Sequence, residues 1–358
     1  MSDAAAVSRR LGAYLGVAPT NLRILASGWE TTVYEFALAG RAPRLPTAAA
    51  GEPLVLRFYD GPRADDKGVR EAHTMSALAA TDYPVPKPLL FEPDHDPLGA
   101  PFLIMERVAG GPLFAAGSFP RAFKTFSMGF IGFVRAQAQL HRLDRDGFNP
   151  QDITPAYVTQ NSGPCGSLLD RLLEVIADRI ERGPLPGLRD ALGRLREQVD
   201  RFRASPEAIV HMDYHPQNVV VKGLHVTGVI DWVSADRGDR HLCAATTSVI
   251  LASSAMDHPR WMRDNPAGNA LRALFTALYL PLYQALAPME WRRLRYCQAV
   301  AALLRLSTFG IMRARGPAAA GYRPEAIANV TPGVVRLLSR YAGRKAGVAV
   351  SIGGAQTS

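Results

Sequence analysis

Residues 209 to 221 read IVHMDYHPQNVVV and place His211, Asp213, His215 and Asn218 between two apolar, largely β-branched runs. Such runs predict short strands, so the polar residues are expected in the loop that connects them. Two kinds of site need this mixture of side chains. One is a metal site built from His and Asp, and the other is a loop that positions a hydroxyl beside a metal-bound phosphate.

The metal-site interpretation rests on His211, Asp213 and His215, which alternate as they would on one face of an extended strand. His225 or His241 could add a further ligand. A catalytic zinc site also needs groups that orient its ligands, and the sequence has no H-E-x-x-H or similar spacing. A metal-dependent hydrolase that uses His211, Asp213 and His215 is therefore the less favoured alternative.

The next segment, NVVVKGLHVTGVIDW at residues 218 to 232, predicts a hairpin of two strands. Phosphoryl transfer needs an acid that orients and deprotonates a hydroxyl. It also needs an amide oxygen that holds a divalent cation and a second acid on a neighbouring strand. Asp213, Asn218 and Asp231 supply these groups at separations of five and thirteen residues. We expect Asp213 to be catalytic and the other two residues to bind metal.

The motif HMDYHPQN followed by VIDW resembles the aminoglycoside phosphotransferase family, a branch of the protein-kinase-like fold, over about residues 20 to 340. Trp232 after the acid resembles the small-molecule kinases more than the D-F-G of protein kinases, and no A-P-E-like segment follows. The resemblance implies an α+β, bilobal fold with a small antiparallel-sheet N-terminal lobe and a large, mainly helical C-terminal lobe. It also implies ATP or GTP as phosphoryl donor and Mg²⁺ as cofactor.

Strand-like runs dominate the first part of the chain, with one helix among them, and helix-like runs dominate most of the rest. Gly-Gly-Pro at 110 to 112 marks the break. We therefore expect an N-terminal nucleotide-binding lobe, a hinge, a C-terminal catalytic and acceptor-binding lobe and a flexible tail. Their expected bounds are 1–106, 107–112, 113–345 and 346–358.

Arg57, in PLVLRFYD, occupies the strand position where kinases place a lysine, and Glu71 on the next helix is its natural ion-pair partner. Arginine departs from the family's usual lysine, but its forked donors can also clamp phosphates. The alternative is a surface strand arginine with an unrelated glutamate.

The segment ASGWETT, residues 26 to 32, is the expected phosphate-covering loop. It has a single glycine, but its backbone N–H groups and the hydroxyls of Ser27, Thr31 and Thr32 could cradle phosphate oxygens. Trp29 at its tip would either cover the site or cap a hydrophobic edge.

The resemblance places adenine against the main chain near Met105 to Val108, with Glu106 and Val108 as the predicted contacts. It also assigns Asp239 a bracing role, as the family's downstream G-D. A further family aspartate would fall at Cys243, so altered bracing and an altered acceptor pocket are expected. These departures at Arg57 and Cys243 keep a catalytically silent nucleotide-binding protein as an alternative.

The net charge of +9 is concentrated at one end of the chain. Residues 241 to 358 hold fourteen basic and four acidic residues, whereas residues 1 to 240 are close to neutral. A polycationic aminoglycoside would need several carboxylates in its pocket. We therefore expect a small-molecule hydroxyl acceptor of neutral or anionic, partly apolar character, such as an antibiotic or a metabolite. No basic motif interleaved with aromatics and no helix-turn-helix pattern is present, so nucleic acid is not an expected partner.

Three widely spaced cysteines without a C-x-x-C pair predict neither a disulfide framework nor a zinc ribbon, and they fit a reducing cytoplasm. The first residues lack the apolar core of a signal peptide. The most apolar segment, residues 271 to 287, contains Pro281 and Gln284 and is too short for a membrane span. It is expected to form a buried helix. The sequence makes no prediction of oligomeric state.

Overall fold

The fold is taken from a computed structural model of the chain. It describes residues 4–27, 31–61, 63–113, 119–143, 148, 156–159, 166–253 and 266–353. The strands are β1 (Pro19–Ser27), β2 (Thr31–Leu38), β3 (Leu54–Tyr59), β4 (Pro88–Glu92), β5 (Phe102–Glu106), β6 (Gly111–Pro112), β7 (Glu207–Val210), β8 (Val219–Lys222), β9 (His225–Val229) and β10 (Asp236–Asp239). The helices are α1 (Ala4–Leu15), α2 (Ala64–Ala79), α3 (Phe119–Leu140), α4 (Leu168–Arg182), α5 (Arg189–Gln198), α6 (Asp200–Arg203), α7 (Arg240–Ser253), α8 (Pro266–Leu286), α9 (Trp291–Arg315) and α10 (Pro332–Ala346).

The N-terminal part is a five-stranded antiparallel sheet in the order β1-β2-β3-β5-β4. Side chains alternate between the faces of a strand, and the central strand β3 uses both faces. Leu54 and Leu56 join the hydrophobic cluster that contains α1, whereas Val55 and Tyr59 join the cluster that contains α2. The same alternation turns Arg57 towards α2 and the rest of the chain.

Helix α1 is a difference from the sequence prediction, which placed only one helix among the strands of this part. Val7, Leu11 and Leu15 recur every four residues and are buried against the sheet. Burial of such side chains contributes roughly 1.5–3 kcal/mol each, which is enough to dock an otherwise polar helix. Only these three large apolar residues mark the buried face, which is a weak helical signal in so short a segment.

The C-terminal part is mainly helical and is organised around α9, which packs against α4, α7 and α10 and is buried along most of its length. Helix α8 covers the apolar segment that was expected to be a buried helix. Tyr279 and Tyr283 are buried, but Leu274 and Leu278 are 50% and 40% exposed. The helix is therefore present but buries only one face.

The chain also forms two small sheets. One has the order β6-β8-β9, and the other pairs β7 with β10. The predicted α+β class, with an antiparallel sheet followed by a mainly helical remainder, is confirmed. The predicted lobe and hinge boundaries stay predictions.

A long-range contact joins the end of the chain to the N-terminal sheet. Arg323 Nη2 donates to Thr32 Oγ1 at 2.8 Å and to Asp60 Oδ2 at 2.5 Å. Arg323 lies between α9 and α10, and both of its partners belong to or follow strands of the five-stranded sheet. This contact is an interlobe tie, and we keep that name for it.

Across the described part of the chain, the helices all lack the combination of length and apolar character that spanning a bilayer requires.

Candidate active site

The hairpin predicted from the sequence is formed by β8 and β9, and it brings Asn218 and Asp231 to the same end. Val219 pairs with Val229, and Ile230 N–H donates to the carbonyl of Asn218 at 2.9 Å. Asp231 follows directly and has a left-handed backbone with φ of 69°. Such a conformation is uncommon for a residue other than glycine, although aspartate adopts it more often than most, and it recurs at active sites.

Asp213 lies beside Asn218 because the loop between β7 and β8 folds back on itself. The amide Nδ2 of Asn218 donates to the main-chain oxygen of Asp213 at 3.0 Å and contacts its Oδ2 at 3.4 Å. The preceding residue, Met212, is buried and also left-handed, with φ of 59°. The Asp213 side chain remains 41% exposed, so it can meet a ligand from solvent.

His211 is fully buried behind this loop, and both of its ring nitrogens are used. Its Nε2 lies 2.9 Å from the carbonyl of Ile230, and its Nδ1 accepts from Asp213 N–H at 3.3 Å. Burial lowers the pKa of His211, which favours the neutral ring that this pattern requires. His211 therefore holds the loop against β9 and has no nitrogen left for a metal ion.

His215 contacts Asp213 loosely, with Nε2 to Oδ2 at 3.6 Å, and its Nδ1 accepts from Gln217 N–H at 3.3 Å. Burial would raise the pKa of Asp213, but the charge and hydrogen bonding of His215 lower it to about 2. Asp213 is thus ionised at neutral pH. Among the described residues, no group of three or more His, Cys, Asp or Glu side chains could share a metal ion. The histidine-based zinc alternative gains no support.

Arg57 links the N-terminal sheet to this loop. Its Nη2 donates to Asp231 Oδ1 at 2.5 Å, and its Nε lies 2.9 Å from Glu71 Oε2 in a charge contact that is not an aligned hydrogen bond. Burial alone would lower the pKa of Arg57, but the carboxylates of Asp231 and Glu71 raise it. The side chains of Arg57 and Glu71 are almost completely buried, which argues against the alternative of an unrelated surface pair.

Glu71 has two further partners that the sequence did not reveal. Tyr59 OH donates to its Oε2 at 2.7 Å, and Trp232 N–H donates to its Oε1 at 3.0 Å. Tyr59 lies two residues after Arg57 on the same face of β3, so strand alternation could have identified it. The Trp232 contact is made by the main chain and leaves no residue-type signal.

The arrangement fits a magnesium ion in its donor chemistry. Asn218 uses its Nδ2 as a donor, which leaves its carbonyl oxygen, and Asp231 uses Oδ1 for Arg57. Within the described residues, Asp231 Oδ2 makes no hydrogen bond. Amide and carboxylate oxygens are the hard ligands that Mg²⁺ prefers.

The predicted phosphate-covering loop is only partly described. Ser27 ends β1 and pairs with Thr32 at the start of β2, while Trp29 lies outside the described residues. Thr31 is buried. The Thr32 hydroxyl accepts from Arg323 in the interlobe tie. Arg323 is a neighbour of this loop that no sequence signal indicated.

The predicted adenine contacts lie where β5 ends. Glu106 N–H donates to the carbonyl of Lys87 at 3.0 Å. Val108 packs on β9 so closely that a side chain at Gly228 would approach Val108 Cγ2 to 2.9 Å. Their roles towards a nucleotide stay predictions.

Asp239 and Cys243 lie behind the loop, at the start of α7. Asp239 accepts from His241 N–H at 2.8 Å and from Arg293 Nη1 at 2.9 Å, so it joins α7 to α9. Cys243 is fully buried and receives a contact from Gln137 Nε2 at 3.5 Å. This position braces the interior and has no carboxylate to offer a ligand.

Several solved structures share the fold of this chain. A Ralstonia eutropha protein assigned as an aminoglycoside phosphotransferase superposes with a TM-score of 0.61 at 18% identity, covering 96% of this chain and 98% of that one. A thermostable mutant of the aminoglycoside phosphotransferase APH(4)-Ia, solved with ADP and hygromycin B, gives 0.57 at 18% identity, covering 93% and 98%. The macrolide 2'-phosphotransferase of Brachybacterium faecium gives 0.54 at 18% identity, covering 93% and 99%. At these identities the superpositions establish the protein-kinase-like fold.

No curated protein matches the chain. A model of the Phosphotransferase enzyme family matches residues 21–291, which is well over half of the sequence. The match includes the hairpin, the loop before it and the strand that carries Arg57. The chain therefore belongs to the Phosphotransferase enzyme family and is a small-molecule kinase.

Proposed function

We propose that the chain transfers the γ-phosphoryl group of ATP or GTP to a hydroxyl of a small molecule that is neutral or anionic. The observation that carries this proposal is the convergence of Asp213, Asn218 and Asp231 at one end of the β8–β9 hairpin, beside the buried Arg57. These are the acid, the amide and the second acid that phosphoryl transfer needs.

Asp213 is the general base of the proposed reaction. It accepts a hydrogen bond from the acceptor hydroxyl, aims its oxygen at the phosphorus and takes its proton late. Its low pKa keeps it ionised, and its partial exposure keeps it accessible. Asn218 and Asp231 would hold Mg²⁺, which neutralises charge on the nucleotide phosphates when bound.

Arg57 has a double role in the proposal. Its Nη2 and Nε face Asp231 and Glu71, and its Nη1 makes no hydrogen bond with the described residues. The guanidinium can therefore hold the metal-binding acid in place and still donate to a phosphate oxygen. This supports arginine as a working substitute for the family's usual lysine.

The acceptor class is the less specified part of the proposal. The superposed relatives include a phosphotransferase solved with hygromycin B and a macrolide 2'-phosphotransferase. An antibiotic is therefore one acceptor class to test beside metabolite alcohols. The scarcity of acidic residues in 241 to 358 favours acceptors without many amino groups.

The testing experiment is a nucleotide-consumption assay with Mg²⁺ and either ATP or GTP. The panel should contain macrolides, polyamine sugars, neutral sugars and anionic alcohols, and Asp213→Asn is the matched control. We expect consumption with at least one neutral or anionic acceptor in the wild type and almost none in Asp213→Asn. Consumption with polyamine sugars alone would overturn the acceptor class. Equal activity in Asp213→Asn would overturn the mechanism.

A catalytically silent protein would behave differently in the same assay. It would bind nucleotide, measured by calorimetry, without consuming it with any acceptor. Retention of all three oxygen-bearing side chains in one cluster supports the active enzyme.

A reducing compartment such as the cytoplasm is part of the proposal. Cys243 and Cys297 are buried free thiols, as expected for a protein that does not rely on disulfides.

A further inference from the structure

A cleft of about 550 Å³ lies beside the candidate active site, between α2, α4, residues 156–159 and the turn at 318–322. Its volume is within the range of about 300–1,000 Å³ that is typical of small-molecule pockets. Among the described residues that line it, Asp178 is the single carboxylate. The cationic side chains in the lining are Arg63, Lys67, Arg70, Arg179 and Arg182.

The cleft adjoins the reacting end of the site. Val233 and Ser234, which follow the metal-binding acid by two and three positions, form part of its wall. Arg70 Nη1 donates to the carbonyl of Val233 at 2.7 Å. Tyr157, in the opposite wall, lies close enough to Asp213 for that charge to help raise its pKa to about 12, although burial is the larger cause.

Some of the cations in the cleft lining have described partners. Asp178 pairs with Arg182 at 2.8 Å, and Asp66 pairs with Arg63 at 2.8 Å. Arg179 donates to the neutral hydroxyl of Thr308 at 2.8 Å. The lining itself therefore carries a clear excess of cations over carboxylates.

Helix electrostatics explain two of these cations but not the others. Arg179 and Arg182 lie in the last turn of α4, where the helix dipole favours positive charge. Arg63 and Lys67, in contrast, lie at the N-terminus of α2. Arg63 is its N-cap, and Lys67 follows in its first turns. Positive charge is unfavourable there, and Asp65 and Asp66 in the same first turn offset it.

Burial acts on two of the arginines in the lining. It lowers the pKa of Arg70 to about 10, and the charge of Arg63 acts in the same direction. Burial also lowers the pKa of Arg179. Both shifts mean that the surroundings disfavour the charged guanidinium, and a bound oxyanion would reverse that effect.

We propose that this cleft binds a phosphate monoester group carried by the acceptor substrate, while the acceptor hydroxyl lies at Asp213. The inference rests on the proposed phosphotransferase function and narrows its acceptor to a phosphorylated alcohol. A guanidinium group can donate two parallel hydrogen bonds to a phosphate group. A cleft with several cations also suits a doubly charged phosphate monoester better than a singly charged carboxylate ligand.

The test compares two double variants. Arg63→Gln with Lys67→Gln removes two charges from the cleft. Arg336→Gln with Arg340→Gln removes two from the exposed face of α10, outside the cleft. Binding of glycerol 3-phosphate, inorganic phosphate and glycerol is measured by calorimetry. AMP-PNP and Mg²⁺ are present, so that the nucleotide site is already occupied and adds no binding heat.

We expect glycerol 3-phosphate to bind and glycerol not to bind. The cleft variant should bind glycerol 3-phosphate about 10- to 100-fold more weakly, the range for losing a charge-assisted hydrogen bond. The α10 variant should bind as the wild type does.

The kinetic arm uses sugars and their monophosphates as matched acceptors. We expect kcat/KM to be higher for the phosphorylated member, and this advantage should disappear in the cleft variant while the KM for nucleotide is unchanged. No binding of glycerol 3-phosphate, or equal binding by both double variants, would overturn the cleft assignment. If inorganic phosphate binds as tightly and phosphorylated acceptors have no kinetic advantage, the cleft holds free phosphate and the acceptor assignment is wrong. If glycerol 3-phosphate binds in the cleft but no alcohol supports nucleotide consumption, the phosphotransferase function fails and the anion site stands.

Discussion

The catalytic loop, residues 211 to 231, and the basic cleft lie side by side but are assembled differently. The loop takes its polar groups from one continuous segment, and main-chain hydrogen bonds such as Ile230 to Asn218 fix their positions. The cleft gathers side chains from α2, α4 and two separate turns. The loop is also rich in oxygen acceptors, whereas the cleft is rich in donors. The proposals therefore assign the reaction chemistry and the recognition of the acceptor's phosphate group to two separate structural units.

The largest expected effect separates the two units directly. Asp213→Ala removes the proposed base, so we expect kcat to fall by roughly 10² to 10⁴, the range for general-base catalysis. Because the phosphate group is proposed to bind in the cleft, the affinity for inorganic phosphate, which has no hydroxyl to place at Asp213, should not change. Circular dichroism would show that the variant is folded. A kcat close to the wild-type value would contradict the role of the loop.

The second prediction tests the buried contact of Arg57, which connects the N-terminal sheet to the loop. Arg57→Ala leaves Glu71 buried without its charge partner, so we expect the free energy of unfolding to fall by about 3–5 kcal/mol. Arg23 pairs with Glu35 but is 66% exposed, so Arg23→Ala should lower it by only about 0.2–1 kcal/mol. Urea denaturation of both variants provides the measurement. Equal losses of unfolding free energy in the two variants would mean that the contacts of Arg57 stabilise the fold no more than an exposed ion pair does.

The third prediction concerns the buried histidines behind the loop. Burial lowers the pKa of His141 to about 3, and that of His211 is lowered too. An unfolded histidine has a pKa of about 6.5, so below that pH the unfolded state binds more protons and stability falls as pH falls. For His141 the loss between pH 7 and pH 5 is about 2 kcal/mol.

Denaturant titrations at the two pH values would measure this loss. His141→Asn keeps a hydrogen-bonding group near Tyr283, which His141 Nδ1 contacts at 2.5 Å, but cannot titrate. We expect a smaller pH dependence in this variant and an unchanged one in Arg63→Gln with Lys67→Gln. The same pH dependence in His141→Asn and wild type would contradict the assignment.

The smallest effect concerns the interlobe tie. Arg323 and Asp60 are partly exposed, so Arg323→Ala should change stability by only about 0.2–1 kcal/mol. If an energy of this size were lost from nucleotide binding, the KM for nucleotide would rise by at most about fivefold. Arg340→Ala is the control. A much larger change in KM would mean that the tie, rather than the loop, controls donor binding.

The catalytic loop could be predicted from the sequence because its information is local. A β-branched run on each side and a short turn define the hairpin, and the spacing of Asp213, Asn218 and Asp231 then follows from strand pairing. The resemblance to kinases matched Arg57 with Glu71 on the next helix, and the structure brings their charged groups together.

The cleft could not be predicted, because its walls come from segments that share no pattern. In the sequence, Arg70 and Arg179 are ordinary charged residues on two helices. Only the packing of those helices shows that both residues line one cleft. The left-handed backbones of Met212 and Asp231 carry no residue-type signal, since neither residue is glycine. The charge excess in 241 to 358 favoured a neutral or anionic acceptor, yet the cations of the cleft lie on or next to α2 and α4, outside that segment.

Helix α2 has one further consequence. Arg70, in the wall of the cleft, and Glu71, the partner of Arg57, are consecutive residues of this helix. A rigid helix cannot shift one of them without shifting the other. If α2 moves when the cleft is occupied, the guanidinium of Arg57, which donates to Asp231, moves with it. The binding of the acceptor would then change the affinity for the nucleotide donor. By thermodynamic reciprocity, the donor would change the affinity for the acceptor by the same factor.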